Sequence, residues 1–315
     1  MTTYSEKQLI KRLALYRGDY HQSLGLEDMI EDAERIFSDG SDYGPLAGLD
    51  NVADGLLIEC MSNFGLGIME RHESEGILLD LSQRCRFFSF AVEKKFFDEN
   101  PNFVTPALSP YGEWMLQFIA TGRTDLQQRL EAIALSVVKS GRYASPAGTT
   151  GYFTAPSKLG VFALEMLAAV RGETIDWESF HIPPDPFWLD CARIGLIEPD
   201  PGRAADWARR LCDAHMQTLQ TDKDDFVFNA STGHEIELEA HFLWPIAVHA
   251  FLRLRGQLRL ETGEIDHQLM QTRFELLRDW NMPAGSWPAE RWYRDILART
   301  LAEAPSLQAD LDLIR

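Results

Sequence analysis

The residue types best suited to chemistry stand in one short stretch, from His234 to His241. On an α-helix, His234, Glu237 and His241 would share one face, where two imidazoles and a carboxylate could bind a transition metal. Their spacing is not the H-E-x-x-H of zinc proteases. An acidic first turn, favoured by the helix dipole, and two partly buried histidines explain the stretch more simply. We therefore expect no bound metal and no cofactor.

A second group of residues could dock a basic partner. Between Glu27 and Asp54 nine acids stand against one base, Arg35, so this segment carries -8 of the net charge of -18. Such a field would attract a basic protein and orient it. The alternative is a solvated helix face opposite the apolar stripe within Leu26–Phe37. The acids that we predict to contact a partner are Glu27, Asp28, Glu31, Asp32, Glu34, Asp39 and Asp42.

The cysteines do not form a reactive pair. They lie far apart, each within an apolar helical pattern, and no C-x-x-C spacing suggests zinc binding or thiol exchange. Reduced cysteine is commonly a core residue, so we expect four buried free thiols. The four are Cys60, Cys85, Cys191 and Cys212.

Tryptophan is concentrated in the second half of the chain, which contains seven of the eight. Such rings could line a sugar-binding cavity beside paired acids such as Asp185 and Asp190. They could equally fill the gaps between packed helices. The sequence contains no G-x-S-x-G, no Walker loop and no Rossmann glycine run. A helical enzyme with a carboxylate-lined aromatic cavity, glycosidase-like or a metal-dependent hydrolase, remains the alternative function.

The elements that would position these residues are helices. Apolar residues recur at steps of three or four almost throughout, which predicts an all-α protein of about a dozen helices in antiparallel pairs. Two predicted helices cover residues 235–255 and 265–280. The best strand candidates, at 226–228 and 258–260, are too short to found a sheet.

Two helix starts have the capping-box spacing, in which a hydroxyl and an amide side chain each satisfy a backbone N–H. They are Ser5 with Gln8 and Thr124 with Gln127. We expect one all-helical domain over 1–315, or two closely packed lobes, 1–140 and 157–315, joined by a loop at 141–156. That stretch is rich in Gly, Thr, Ala and Pro, which suits either a surface loop or a ligand-contacting loop.

The composition favours a globular protein that binds neither membranes nor nucleic acids. A 315-residue chain with 45% hydrophobic and 25% charged residues resembles an average globular protein. We expect no apolar run near the roughly 18 residues of a membrane span and no secretory signal, hence a cytoplasmic protein without membrane contact. The net charge of -18 opposes the phosphate backbone, so nucleic-acid binding is not expected.

The segment from Cys191 to Leu269 has a distinctive order of elements: a helix, the acidic-proline break IEPDPGR, a second helix, a polar loop, an apolar helix and an acidic extended piece. Its characteristic positions are His215, Pro245, Gly256 and the stretch Leu258–Asp266. In this order and at these positions the segment resembles the C-terminal half of the bacterial immunity protein 49 family. PoNi-type immunity proteins, which have a comparable late aromatic-acidic helix, are a near alternative.

Either resemblance implies the same class of function. Members of these families are helical proteins that neutralise polymorphic toxins by binding and covering them, without catalysis. The resemblance therefore implies a cytoplasmic immunity protein whose partner is a cognate toxin domain, and the acidic sequence suits a basic partner. It implies no catalytic residue and leaves the oligomeric state open.

Overall fold

In the computed structural model of this protein, 75% of the described residues are helical. The structure describes residues 5, 7–11, 13–14, 44–71, 76–101, 108–142, 157–219, 235–236, 238–282 and 291–315. Within these ranges there is no strand or sheet, and the β pairing that occurs is an isolated parallel bridge between Leu219 and Ile236. The predicted all-α multi-helical fold is confirmed.

The helices are joined by connections of very different lengths. Besides helical residues at 7–11 and 13–14, they are α1 (Gly44–Leu66), α2 (Gly76–Glu99), α3 (Leu108–Thr121), α4 (Thr124–Lys139), α5 (Lys158–Val170), α6 (Pro186–Asp190), α7 (Pro201–Gln217), α8 (Ile246–Gln257), α9 (Arg291–Glu303) and α10 (Gln308–Leu311). Single π turns extend α1 over Gly67–Arg71 and α6 over Cys191–Gly195. Short 3₁₀ turns cover Glu239–His241, Gln268–Gln271, Arg273–Leu277, Pro305–Leu307 and Asp312–Ile314.

The chain divides into two compact units. Unit 1 comprises Met1–Phe103 with Met282–Arg315, and unit 2 comprises Val104–Asn281. This division does not coincide with the alternative boundary at 141–156, of which residues 143–156 lie outside the described ranges. A chain that leaves unit 1 and returns to it shows no composition break at a single point, which is why the sequence pattern suggested a different boundary.

Unit 1 is organised around the pair α1 and α2, against which α9 and α10 pack. Both long helices bury large apolar side chains, among them Phe64 and Phe88. The buried guanidinium of Arg84 on α2 pairs with Asp80 at 2.7 Å, one helical turn earlier. It also donates to the carbonyl oxygens of Ile314 and Arg315, at 3.3 and 3.1 Å. The last residues of the chain are thereby held against α2.

The helical stretch Leu46–Glu70 corrects one expectation. By length and composition alone it is apolar enough to cross a membrane, although 78% of the relevant window is buried within the protein. The expectation that no apolar run comes near a membrane-span length was therefore wrong here. A core helix that is covered on most sides passes the same test, because burial inside a protein and burial in lipid both select apolar residues.

Unit 2 is built around α3, which is buried along its whole length and packs against α4, α5 and α8. The backbones of α3 and α5 approach closely where Gly112 faces Gly160. A Cβ added at Gly112 would lie 2.2 Å from the backbone nitrogen of Gly160 and 2.3 Å from the carbonyl carbon of Leu159. Two facing glycines let the helix backbones come nearer than side chains permit.

Two predicted helices of unit 2 are wrong in extent. The predicted helix 235–255 is reduced to a 3₁₀ turn at Glu239–His241 and α8, which begins after Pro245. Proline lacks a backbone N–H and restricts the residue before it, so it starts this helix and is not internal to it. The predicted helix 265–280 consists of the two 3₁₀ turns Gln268–Gln271 and Arg273–Leu277.

The two predicted capping boxes have different outcomes. Ser5 and Gln8 form theirs: the Gln8 side chain accepts from the Ser5 backbone N–H at 2.8 Å, and the Ser5 hydroxyl accepts from the Gln8 N–H at 3.3 Å. The prediction for Thr124 is wrong. Thr124 is the first helical residue of α4, the N-cap is Arg123 without a side-chain cap, and the Gln127 amide donates instead to Glu131.

Candidate interaction surface

The predicted partner-binding acids, Glu27 through Asp42, lie outside the described residues and stay a prediction. The last two acids of that cluster are described, on α1. Asp54 accepts hydrogen bonds from Arg86 at 3.2 Å and from the Ser89 hydroxyl at 3.3 Å. Burial raises the pKa of the Asp50 carboxyl to about 6, against a hydrogen bond from Ser89 that lowers it. These two acids therefore contribute to helix packing in unit 1.

The stretch from His234 to His241 supplies hydrogen-bond partners for Ser109 and Glu113, two polar residues one turn apart on α3. His234 and Glu237 lie outside the described residues, and the face that they would share with His241 stays a prediction. Glu235 is buried, and its carboxylate accepts from the Ser109 hydroxyl at 2.8 Å. It also accepts from the backbone N–H groups of Lys158 and Leu159, at 3.0 and 2.8 Å. Glu235 thus caps the N-terminus of α5, which has no cap of its own.

His241 contacts Glu113, which lies one helical turn after Ser109 on α3. Its Nδ1 lies 2.7 Å from Oε1 of Glu113, with both side chains buried. The Trp114 and Trp244 rings meet the imidazole edge-on. Nε2 of His215, also buried, donates to the His241 carbonyl oxygen at 3.0 Å. Within the described part of the chain, no group of three or more His, Cys, Asp or Glu side chains is arranged to hold a metal.

The buried histidines predict a loss of stability in acid. Burial, reinforced by the neighbouring His241, lowers the pKa of His215 to about 3, and burial also lowers the pKa of His249. Below pH 6.5 the unfolded chain takes up a proton at His215 that the folded chain does not, so stability falls as the pH drops. The expected slope from His215 is about 1.4 kcal/mol per pH unit, down to about pH 3.

Denaturant unfolding of wild type and His215→Gln at pH 7.5, 6 and 5 measures this effect. The amide keeps a donor near the His241 carbonyl but does not titrate, so the variant should lose less stability between pH 6 and 5. Because both proteins share all other titrating groups, the difference isolates His215. Parallel pH dependences would contradict the prediction.

The tryptophans and their neighbouring acids do not form a sugar-binding cavity in the described residues. Trp177 is buried and donates through Nε1 to Glu165 at 2.7 Å, and Arg193 binds the same carboxylate at 2.6 Å. Asp185 is the N-cap of α6, accepting from two backbone N–H groups. Trp188 is buried against Phe162. These side chains serve packing and capping.

The four cysteines are free and buried, as predicted. Burial raises the pKa of Cys60 and of Cys212 to about 12. It also raises those of Cys85 and Cys191 well above the ordinary value. A thiol that stays protonated at neutral pH is a poor nucleophile.

A cleft of about 560 Å³ lies beside the end of α8. Its titratable side chains are Arg253, Arg278 and Asp279. Arg253 donates to the carbonyl oxygens of Ala120 and Trp280, at 2.8 and 3.0 Å. An acid-base pair of facing carboxylates, which the enzyme alternative needs, is not present in this cleft.

The exposed surface next to this cleft is organised by Arg255, which is fully buried on α8. Its Nη1 donates to the carbonyl oxygens of Gly195, Leu196 and Glu198, at 3.2, 2.9 and 2.9 Å. Its Nη2 donates to the Glu261 carbonyl, and its Nε to the Thr262 hydroxyl at 2.8 Å. One guanidinium therefore joins the turn after α6 to the chain that follows α8.

That following chain, residues 260–267, is hereafter the acidic segment. It has neither helix nor strand, and its Gly263 N–H donates to the Pro201 carbonyl at the start of α7, at 2.9 Å. The side chains of Glu261, Glu264 and Asp266 are exposed. Among the described residues these three carboxylates form no ion pair, whereas the nearby Glu198 pairs with an arginine. Three like charges are thus held in one short, fixed stretch.

The sequence did not indicate the roles of Arg255 and Glu113. Arg255 joins two surface segments of unit 2, and Glu113 binds His241 in its core. A signal for Glu113 was present, since it is a lone charge in the apolar run YGEWMLQFIA. No such signal marks Arg255, which follows Arg253 in a helix end that reads as basic and exposed.

The structure joins the two pieces of sequence that carry the resemblance. The break IEPDPGR and the Leu258–Asp266 stretch meet at Arg255 and at the contact between Gly263 and Pro201. No protein-family model, curated protein or solved structure matches this chain.

Proposed function

We propose that this protein binds a basic toxin domain and neutralises it by direct contact, as an immunity protein without catalytic activity. The observation that carries the proposal is the acidic segment, whose three exposed carboxylates form no ion pair within the described part of the chain and whose backbone is held by contacts to α7 and α8. Like charges repel one another, so the binding of a basic partner that neutralises them is energetically favourable.

The way the buried ionisable groups are used supports binding over catalysis. Glu235 caps a helix, Glu113 contacts His241, and Glu165 binds Trp177 and Arg193. A general acid or base must reach substrate, and each of these carboxylates is fully or almost fully buried and contacts protein groups. The acids at 27–42 are a second predicted surface for the same partner.

Charge reversal tests the proposal and separates the two acidic surfaces. The triple substitution Glu261→Lys, Glu264→Lys and Asp266→Lys should slow association with the toxin domain about tenfold at low salt, because exposed charges steer encounter. High salt should shrink the difference, since charges are screened beyond about 8 Å at physiological ionic strength. Dissociation should change less. The measurement is binding kinetics to the domain encoded beside this chain's gene, together with survival on co-expression.

Two further variants, first a triple and second a quadruple substitution, serve as comparisons. Glu99→Lys, Glu178→Lys and Glu303→Lys change the net charge equally at scattered exposed positions. The reversal of Glu27, Asp28, Glu31 and Asp32 tests the predicted cluster. A toxin domain that does not bind wild type, or cells that die despite co-expression, would reject the proposed function. Slow association in the second variant alone would move the surface to 27–42.

A further inference from the structure

Two large apolar side chains stand out on the surface of unit 2. Ile194, in the π turn after α6, is 53% exposed, and Ile197 is 52% exposed. They lie three positions apart on the turn that Arg255 holds. The neighbouring Leu196 is fully buried, so the turn is anchored while the two isoleucines remain in contact with solvent.

Two sets of contacts hold this turn rigid. Arg255 donates to three of its carbonyl oxygens, those of Gly195, Leu196 and Glu198. Gly195 packs so closely on Trp207 that an added Cβ would lie 2.8 Å from the indole ring. An apolar side chain that a rigid backbone holds outward loses little conformational freedom on binding.

The same guanidinium places the acidic segment beside the isoleucines. Arg255 binds the Glu198 carbonyl through Nη1 and the Glu261 carbonyl through Nη2. The two backbones are therefore separated by one guanidinium group. Two exposed isoleucines and three exposed carboxylates therefore lie on adjoining segments, which is the composition of a dry interface centre with a charged rim.

We propose that Ile194 and Ile197 form the apolar centre of a protein interface whose acidic rim is the acidic segment. This inference rests on the proposed toxin binding and adds the residues that anchor the partner. The occupant is a basic protein surface that presents an apolar side chain flanked by lysine or arginine. A second copy of this chain fits less well, because it would bring two acidic segments together.

The proposal separates two kinetic effects. Apolar anchors at the centre of an interface govern dissociation, whereas rim charges govern association. The double substitution Ile194→Ser and Ile197→Ser should therefore raise the dissociation rate about 10- to 30-fold and leave the association rate within about twofold. Reversal of the three acids should do the opposite.

A peptide probe tests the surface without the toxin. The probe is a short synthetic peptide of lysine and leucine pairs, compared with the same peptide carrying serine in place of leucine. Wild type should bind the leucine peptide about tenfold more tightly, and hydrogen exchange should show protection at 190–198 and 260–267. The preference should disappear in the isoleucine double variant. A preference that persists, or protection only elsewhere, would overturn the inference.

The toxin domain provides the second arm, with Ile77→Ser as the matched control because Ile77 is 42% exposed in unit 1. Circular dichroism verifies the fold, and Ile194→Thr with Ile197→Thr replaces the serine variant if that one unfolds. Toxin that binds the double variant as tightly as wild type overturns the inference and leaves the proposed function intact. Toxin that binds no variant and not wild type rejects the proposed function, and only the peptide result then decides for the surface. A dimer that both isoleucine substitutions dissociate would also overturn the inference.

Discussion

Replacing Gly112 with alanine should destabilise unit 2 by at least about 3 kcal/mol. The new Cβ would lie 2.2 Å from the Gly160 nitrogen and 2.3 Å from the Leu159 carbonyl carbon. These are backbone atoms of α5, which cannot rotate away as a side chain can. The two helices must move apart, and the packing of α3 against its other neighbours must change with them.

Chemical denaturation followed by tryptophan fluorescence measures this loss, since six of the eight tryptophans lie in unit 2. Gly256→Ala is the matched control, because an added Cβ there meets nothing within 4 Å. It removes a helical glycine near the end of α8 and should raise stability by up to about 1 kcal/mol. The same substitution thus has opposite signs at the two sites. Equal stability of wild type and Gly112→Ala would show that α3 and α5 do not approach as described.

Replacing Arg255 with methionine should cost about 3 to 5 kcal/mol. Methionine fills much of the space of the arginine stem but donates no hydrogen bond. Four carbonyl oxygens, two of them on Leu196 and Glu261, and the Thr262 hydroxyl would lose their donor at buried or partly buried positions. The turn after α6 and the acidic segment would then no longer be joined through a common donor.

Arg259→Met is the control for charge, because Arg259 is exposed just beyond α8. Its effect should stay within about 0.5 kcal/mol. Hydrogen exchange at 195–198 and 261–263 provides a local measure, and both segments should exchange faster only in Arg255→Met. If Arg255→Met were as stable as wild type with unchanged exchange, Arg255 would not hold this surface.

Helix content and the state of the cysteines could be predicted from the sequence because both follow from local patterns. Apolar residues at steps of three or four define one face of a helix wherever they occur. Cys85, among the phenylalanines of α2, is buried for the same reason as its neighbours. The Ser5 capping box also forms from residues three apart, so its partner was already present in the sequence.

The predicted helix boundaries were wrong where residues outside the local pattern supplied the hydrogen-bond partners. Thr124 has the same capping pattern as Ser5, yet Gln127 turns to Glu131 and the helix begins one residue earlier than a Thr124 cap would place it. The stretch around Glu235 has an acidic, helical pattern, yet its carboxylate caps α5 and its backbone bonds to Thr218. Local propensity differs by a few tenths of a kcal/mol between such alternatives, so a buried hydrogen bond decides.

The sequence by itself determined the all-α fold class of this protein and the amino acids of its candidate surface. It contains the acids of the acidic segment, Ile197 at the start of the IEPDPGR break with Ile194 three residues before it, and an excess of acids that suits a basic partner. Only the tertiary structure decided that these pieces adjoin, because one guanidinium, Arg255, binds carbonyl oxygens on both. Those carbonyls, on Glu198 and Glu261, lie 63 positions apart in the chain, and backbone oxygens are the same at every residue. The pattern of side chains in the sequence therefore does not indicate which carbonyl oxygens a buried arginine binds.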